Sequence, residues 1–447
     1  MNITSSVPLS SLIEPNRDDF ASSATEVAGV GALHGLSSTD KPADDGQVHD
    51  HDDTAKTAQV ASVDATSSSP TSKLQTLGSP TLTVQVTAMD RLSEAELDRW
   101  RMIRAMRPEF STPFFSPEFS AAVHRSRGDV QVAILFDESQ ADGSQPIGFL
   151  PFHRFRGSAV PVGRFLNDAH NIICPPDVQI DWLWLLEQLD VKAFDFHAMV
   201  GAEAETLAPH SHGLIQSFRA DVGDDSAAYL KRLGKAHKTI GRQGQKTRKM
   251  EREIGPVSFV FDCRDTQLLH QTIQWKREQY QRTHILDLFS TQWTRTLMDE
   301  LFVADGAPDN RERPRGILSV LYAGDRVVAA HYGLIENDLL HYWFPAYTPE
   351  FSRYSPGTAL FTAILTDATQ NGIRCVDMGY GEQPYKLKQT DATGSVAFGC
   401  ITRSRFHRGW RAVETAAIST IKKMPLKESL KRVWRRIQPQ AGISKLR

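Results

Sequence analysis

Three strand-like runs in succession, "GILSVLYA", "VVAAHYGLI" and "LLHYWFPAY", are followed by a helical stretch from Pro356 to about Gln370 and one further strand, "IRCVDMG". Antiparallel strands followed by a helix that crosses to a neighbouring strand require a sheet with helices packed on it, so the class is α/β or α+β. A similar order occurs earlier. "TLTVQVTAM" alternates as a strand; Ser93 and Glu96 form a capping box ahead of Leu97, Trp100 and Ile103; Pro108 ends that helix. Ser116 then caps a helix with Pro117 at its first position, and "VQVAILF" and "PIGFLPFH" make a hairpin. Between the two sets, Asp225 or Ser226 opens a long helix to about Glu253, "VSFVFDC" is a strand, and helices cover Thr266 to Gln281 and Gln292 to Phe302. "VAFGCIT" is a closing strand. The repeated order predicts two related lobes that share pattern and little sequence.

Only part of the 447 residues can join such a core. From Met1 to about Gly78 the single aromatic is Phe20, and eleven acidic residues outnumber four basic ones. That stretch cannot bury enough apolar surface to offset its ordering entropy, and is expected to be a disordered acidic arm. "HDHDD" at His49 to Asp53 falls within it, where nothing fixes ligand geometry, so no metal is expected. The tail from Ile421 carries nine Lys or Arg against one Glu. Leu426, Leu430, Val433 or Trp434 and Ile437 lie near helical spacing beneath that basic face, which reads as an amphipathic segment for a membrane surface or an acidic partner, or as a plain terminal helix on its own domain. The formal net charge of −2 therefore hides two opposite ends, and the body between them has no footprint for nucleic acid over a whole face. No apolar run is long enough to span a bilayer and the N-terminus lacks signal-peptide order, so the expected location is cytoplasmic. Cys174, Cys263, Cys375 and Cys400 are too scattered for a zinc spacing or a disulfide framework.

Polar chemistry gathers at the end of the second set. In "TPEFSRYSPGTALF", Ser355 is placed to cap a helix with Pro356 at its first position, Gly357 lets a group approach the backbone, and Arg353 adds a positive charge. Open N–H groups at a helix start attract phosphate, although the same residues also make an ordinary cap. In "CVDMGYGEQPYKLKQTD", the two-residue period puts Cys375, Asp377 and Gly379 on one face and Val376, Met378 and Tyr380 on the other. Glu382, Tyr385, Lys386 and Lys388 follow within reach of the same opening, beyond a strand end of the kind where α/β ligands bind; a solvated turn is the plainer alternative. His331 and His341 lie in consecutive strands joined at Asn337 and Asp338. A two-residue hairpin sets His331 opposite Phe344 and His341 opposite Leu334, with the imidazoles on opposite faces. The helix around Lys231 to Arg252 holds nine Lys or Arg on a thin apolar line, either a solvated face or a guide for an anionic substrate.

"AAHYGLIENDLLHYWFPAYTPEFSRYSPGTALF" with "DMGYGEQPYKLKQTD" resembles the CelD-like branch of the GNAT acyltransferase superfamily, associated with cellulose or exopolysaccharide production. "PFFSPEF" and "IGFLPFH" resemble that family's first half. The resemblance implies two tandem GNAT-like lobes, each a mixed, mostly antiparallel sheet flanked by helices: an N-terminal lobe over 79–222 and an acyltransferase lobe over 223–415, between the arm 1–78 and the tail 416–447. It implies acetyl-CoA as acyl donor, cradled by Phe344, Arg353, Ser355, Gly357 and Thr358, of which only Arg353 and Gly357 echo the superfamily's usual pyrophosphate signature. Asp377, Gly379, Tyr385 and Lys386 match the branch's D-x-G and Y-K signature. Acyl transfer needs a base, for which Asp377, Glu382 and His331 are candidates, and a proton donor to the thiolate, for which Tyr380 and Tyr385 are. Lys386, His341 and Gly379 are the candidates for holding the acceptor. Three functions fit these residues: a CoA-dependent N- or O-acyltransferase acting on an unidentified acceptor such as a polysaccharide precursor, an aminoacyl-tRNA-dependent transferase related to peptidoglycan-bridge enzymes, and a non-catalytic scaffold of a secretion complex.

Overall fold

The computed structural model describes residues 76–77, 82–139, 145–201, 207–303, 311–390 and 392–404. The acidic arm up to residue 75, the "HDHDD" motif and the basic tail lie outside the described residues. Strands β1 (Thr76–Leu77) and β6 (Gln179–Ile180) form a small parallel ribbon. The other twelve strands make one sheet: β2 (Leu82–Ala88), β3 (Gln131–Asp137), β4 (Pro146–Phe155), β5 (Ser158–Pro161), β7 (Ala193–Met199), β8 (Ser211–Asp221), β9 (Val257–Val260), β10 (Arg315–Ala323), β11 (Arg326–Glu336), β12 (Leu339–Tyr347), β13 (Cys375–Tyr380) and β14 (Ala392–Thr402). Helices cover both faces, so the expected mixed α/β class is what the chain forms. In the sheet the strands run β2-β3-β4-β5-β7-β14-β8-β13-β12-β11-β10-β9.

The capping box at Ser93 and Glu96 starts α1 (Glu94–Ala105), and Ser116 with Pro117 starts α2 (Pro117–Arg127). A short α3 (Trp182–Gln188) follows. The long basic helix is broken into α4 (Ser226–Ala236), α5 (Lys238–Gly241) and α6 (Gln243–Glu253), because His237 is extended and the chain folds back on itself. Gly234 and Gly241 permit that return: a Cβ at Gly241 would sit 2.6 Å from the Gly234 carbonyl oxygen. Gly241→Ala is therefore expected to lower the melting temperature. Overpacking costs about 1–3 kcal/mol, more than the roughly 1 kcal/mol that Ala gains in helix propensity. The remaining helices are α7 (Thr266–Thr283), α8 (Gln292–Val303), α9 (Pro356–Asp367) and the single turn α10 (Pro384–Leu387).

On one face, Trp100, Phe119, Ile273 and Leu297 from α1, α2, α7 and α8 form a single apolar layer drawn from both halves of the chain. On the other, Tyr229, Leu233, Leu360 and Phe361 pack α4 and α9 over Ile317 and Val328. Arg104 of α1 also reaches the buried Glu336 at the end of β11 with two hydrogen bonds, 2.6 and 2.5 Å.

The two halves part their parallel strands differently. β5 and β7 pair only at Ala159 and Phe194, and the slot beyond is filled by the chain itself. His170 N–H donates to Ala198 O on β7 and its carbonyl accepts from Val200 N just past that strand, while Ile173 exchanges hydrogen bonds with Phe149 on β4. β12 and β13 pair at Leu339–Cys375, Leu340–Val376 and His341–Asp377 and then separate. The space they leave is a cleft.

Candidate active site

The cleft encloses about 840 Å³ open to solvent. Its floor is the end of β12 beyond its pairing with β13, from Tyr342 to Tyr347, and one wall is the first turn of α9 with Gly357 and Thr358. α7 supplies Lys276, Gln279 and Tyr280; the segment after β13 supplies Gln383, Tyr385, Lys386 and Gln389. The first half of the chain contributes Phe165 and Asp168. Thr358 is held by a hydrogen bond from the Gln389 amide to its Oγ1, 3.0 Å.

Of the residues singled out for donor binding, Phe344, Gly357 and Thr358 line the cleft. Ser355 occupies the N-cap position but in the left-handed region, φ 54°, and its side chain does not cap the helix. The Lys246 ammonium donates to its hydroxyl instead, at 2.6 Å, so α6 brings a positive charge to the start of α9. Arg353 turns the other way, 3.1 Å from Glu253, whose carboxylate also accepts from the Tyr354 hydroxyl. Arg353 pairs with Glu253 at the surface and is not part of the cleft lining.

The candidates for proton transfer separate in the same manner. Glu382 is exposed and lies outside the cleft lining. His331 is fully buried, stacks on Tyr342 at 4.2 Å, and accepts a hydrogen bond from Trp343 N. Burial pushes its pKa well below the usual histidine range, with the charges of His341 and Lys276 acting in the same direction. His331 pairs with Pro345 and not with Phe344, because β12 bulges at Tyr342–Trp343; the expected pairing of His341 with Leu334 holds. The two imidazoles do enter different layers, His341 standing edge-on to Phe114 at 4.8 Å.

Tyr380 also departs from simple alternation. Gly379 is left-handed, φ 67°, and between Asp377–Arg219 and Tyr380–Ser217 β13 advances by one residue more than β8. Tyr380 is thereby turned to the face of Asp377 and packs with Ala198, Ile215 and Phe398, while Val376 and Met378 stay with α9. Tyr385 is the tyrosine of the pair that reaches the cleft.

Lys386 lines the cleft although its side chain is buried, and its ammonium donates to Tyr380 O at 2.7 Å. Burial pulls its pKa down to about 8, against the opposing pull of Asp168 and Asp377. Asp377 does not itself line the cleft. It lies behind His341, whose Nδ1 is 3.8 Å from its Oδ2, and it accepts from Gly379 N at 2.9 Å. Burial raises its pKa, but His341, then Arg219 and the Gly379 N–H outweigh this and hold it at about 2. On the other side, His341 Nε2 is 3.2 Å from Asp168 Oδ2. Burial lowers the imidazole's pKa, yet the two carboxylates overturn that and raise it to about 9. Asp168 stands in "LNDAHN", a loop with no periodicity, and nothing local in the sequence marks it out.

Residues 235–387 match the family model of the acetyltransferase (GNAT) domain. The GNAT match begins at the end of α4 and finishes in α10, so it contains β12, α9 and β13. Among curated proteins, none matches the sequence. Solved structures similar to the chain include the C-terminal domain of a putative lysylphosphatidylglycerol synthetase from Agrobacterium fabrum, at 11% identity and TM-score 0.43 over 73% of this chain and 96% of that one. They also include a tandem GNAT protein from the clavulanic acid biosynthesis pathway, at 12%, 0.42, 72% and 99%, and FemX, at 8%, 0.46, 74% and 100%. No helix among the described residues is long and apolar enough to cross a membrane.

Proposed function

We propose that the cleft transfers an acyl group, acetyl in the simplest case, from a CoA thioester to an amine or hydroxyl. The observation that carries this reading is the separation of β12 from β13 beyond His341 and Asp377, which leaves that edge of β12 without a strand partner opposite the first turn of α9, with the Lys276 ammonium donating to Pro345 O at 2.9 Å. The first N–H groups of a helix have no intrahelical partner and favour an anion, and Lys246 stands beside them. These features suit a pyrophosphate at α9 and a thioester on the β12 backbone. Tyr385 and Lys386 both line the cleft, and on this reading the first gives the departing thiolate a proton and the second attracts an anionic group of the acceptor. We read the chain as two GNAT-like lobes over 79–222 and 223–415, acting on a component of exopolysaccharide or cellulose synthesis, since "DMGYGEQPYKLKQTD" resembles the CelD-like branch. On the same reading the protein is cytoplasmic, with the basic tail as its contact for a membrane or a secretion complex.

Calorimetric titration of the full chain with acetyl-CoA tests the donor site. One molecule per chain is expected, because the segment from His170 to Ile173 fills the slot beyond β5. Gly357→Glu sets a carboxylate at the start of α9, and its repulsion of phosphate is expected to weaken binding at least tenfold, about 1.4 kcal/mol. Absence of binding at millimolar acetyl-CoA would reject the CoA-dependent reading and leave the tRNA-dependent and scaffold readings.

A further inference from the structure

One charged array crosses the cleft wall and belongs to both halves of the chain. Asp168 comes from the loop after the turn Arg164–Leu166, His341 from β12 and Asp377 from β13. Side-chain exposure is lowest at its centre, 14% at Asp168, none at His341 and 9% at Asp377, and of the three only Asp168 lines the cleft. The groups around His341 are few. The two carboxylates face it from either side, His331 is the neighbouring imidazole, Arg219 stands 3.8 Å from Asp377, Lys386 lies within reach of both carboxylates' fields, and Phe114 closes the remaining side. One imidazole between two carboxylates is favoured as the cation: Nε2 hydrogen-bonds Asp168 at 3.2 Å, while Nδ1, 3.8 Å from Asp377, makes no hydrogen bond and meets that carboxylate through charge alone.

Gly379 shows that the approach is built into the backbone. A Cβ there would collide with the Asp168 carboxylate, and the residue's φ of 67° is one that only glycine adopts without strain. The same residue donates its N–H to Asp377. A single glycine thus admits one carboxylate and anchors the other.

We propose that Asp168 is the proton acceptor of the cleft, and that His341, pinned as an imidazolium by Asp377, is the positioning residue that aims it at the acceptor. The assignment rests on the acyl-transfer reading. In the step, the acceptor's nitrogen bonds to the thioester carbonyl carbon, its proton passes to Asp168, and the carbon–sulfur bond breaks. The thiolate takes the Tyr385 proton, and the proton on Asp168 returns through solvent to the tyrosinate, so that the products are amide and free CoA thiol. A carboxylate acceptor suits an amine, whose nitrogen turns acidic once it has attacked, better than a hydroxyl.

The test uses the full chain with labelled histidine, followed by NMR across pH, and needs no acceptor. The His341 ring is expected to stay protonated to about pH 9, and to titrate at least one pH unit lower in Asp168→Asn and in Asp377→Asn. A wild-type midpoint near 6.5 would overturn the array. In a thiol-release assay with acetyl-CoA and glucosamine as amine probe, Asp168→Asn should lower kcat about 100-fold or more, the low end of general-base effects, with KM for acetyl-CoA unchanged. Asp377→Asn should move the alkaline limb of the pH profile to lower pH, with Asp377→Glu restoring it. Wild-type kcat in Asp168→Asn would reject the assignment. Failure of acetyl-CoA to bind the wild type would instead reject the acyl-transfer reading, and the His341 signal, which is independent of the donor, tells the two failures apart.

Discussion

Truncation after Thr390 is expected to yield no cooperatively folding protein, although it removes only a single described strand. β14 is inserted between β7 and β8, pairing with β7 from Ala397–Met199 to Thr402–Ala193 and with β8 from Ala392–Arg219 to Gly399–Ser211. Its loss leaves two long strands unpaired on facing sides and cuts the sheet between the halves. Val396, Phe398 and Ile401 are buried, at about 1.5–3 kcal/mol each, a sum comparable with the roughly 5–15 kcal/mol net stability of a domain. The strand therefore holds free energy of the same order as the fold has in reserve, before its lost hydrogen bonds to β7 and β8 are counted. A stop after Ser404, which spares every described residue, is the control. Circular dichroism and thermal unfolding of the two proteins decide it: a cooperative transition in the shorter one would show that the sheet tolerates the gap.

That strand also shows where the sequence is legible and where it is not. "VAFGCIT" reads as a strand because its composition is apolar and β-branched, and the same is true of β10 to β13. Their local periodicity is strong and each lies beside a sequence neighbour. The partners of β14 are close to two hundred residues upstream, and no local pattern encodes that pairing. The stretch from Gly157 to Val222, which holds β5, β7 and β8, gave no element by periodicity, since its strands alternate poorly; in β8 the buried positions are only Ile215, Phe218 and Ala220.

The site divides along the same line. Gly357, Tyr385 and Lys386 were readable because they follow strand ends in the sequence, where the topology puts an opening. Asp168 was not, because its place in the cleft is decided by the first half's plugged slot. The segment from His170 to Ile173 bonds to β4 and β7, and the residues just before it are carried to the second half's wall. Asp377 and His341 are legible from their strands, but as separate groups. Only the register His341–Asp377, together with the left-handed Gly379, makes them one unit.

His341→Leu should be the most destabilising single substitution at the site, by about 3–5 kcal/mol, the range for removing one partner from a buried ion pair. The leucine leaves Asp377 buried with no imidazolium before it and Asp168 facing the same apolar side chain. Adding Asp377→Leu to that variant removes the stranded charge and should recover most of the loss, since an apolar pair can replace a buried ion pair at little cost. The pH dependence gives a second signature. In the wild type the raised pKa of His341 contributes stability in full below about 6.5, and this is lost as pH rises through about 9. The lowered pKa of Asp377 contributes in full above about 3.8, and this is lost as pH falls through about 2. Both contributions are complete between those limits, from about pH 4 to 6.5. In His341→Leu the imidazolium's contribution is gone at every pH, and Asp377 keeps only Arg219, 3.8 Å away, and the Gly379 N–H. Denaturant unfolding at pH 5, 7.5 and 9.5 should therefore show the gap between wild type and variant narrowing towards pH 9.5 as the wild type loses its imidazolium. A gap that stays constant across that range would mean that His341 is neutral in the folded chain and is held there by packing alone.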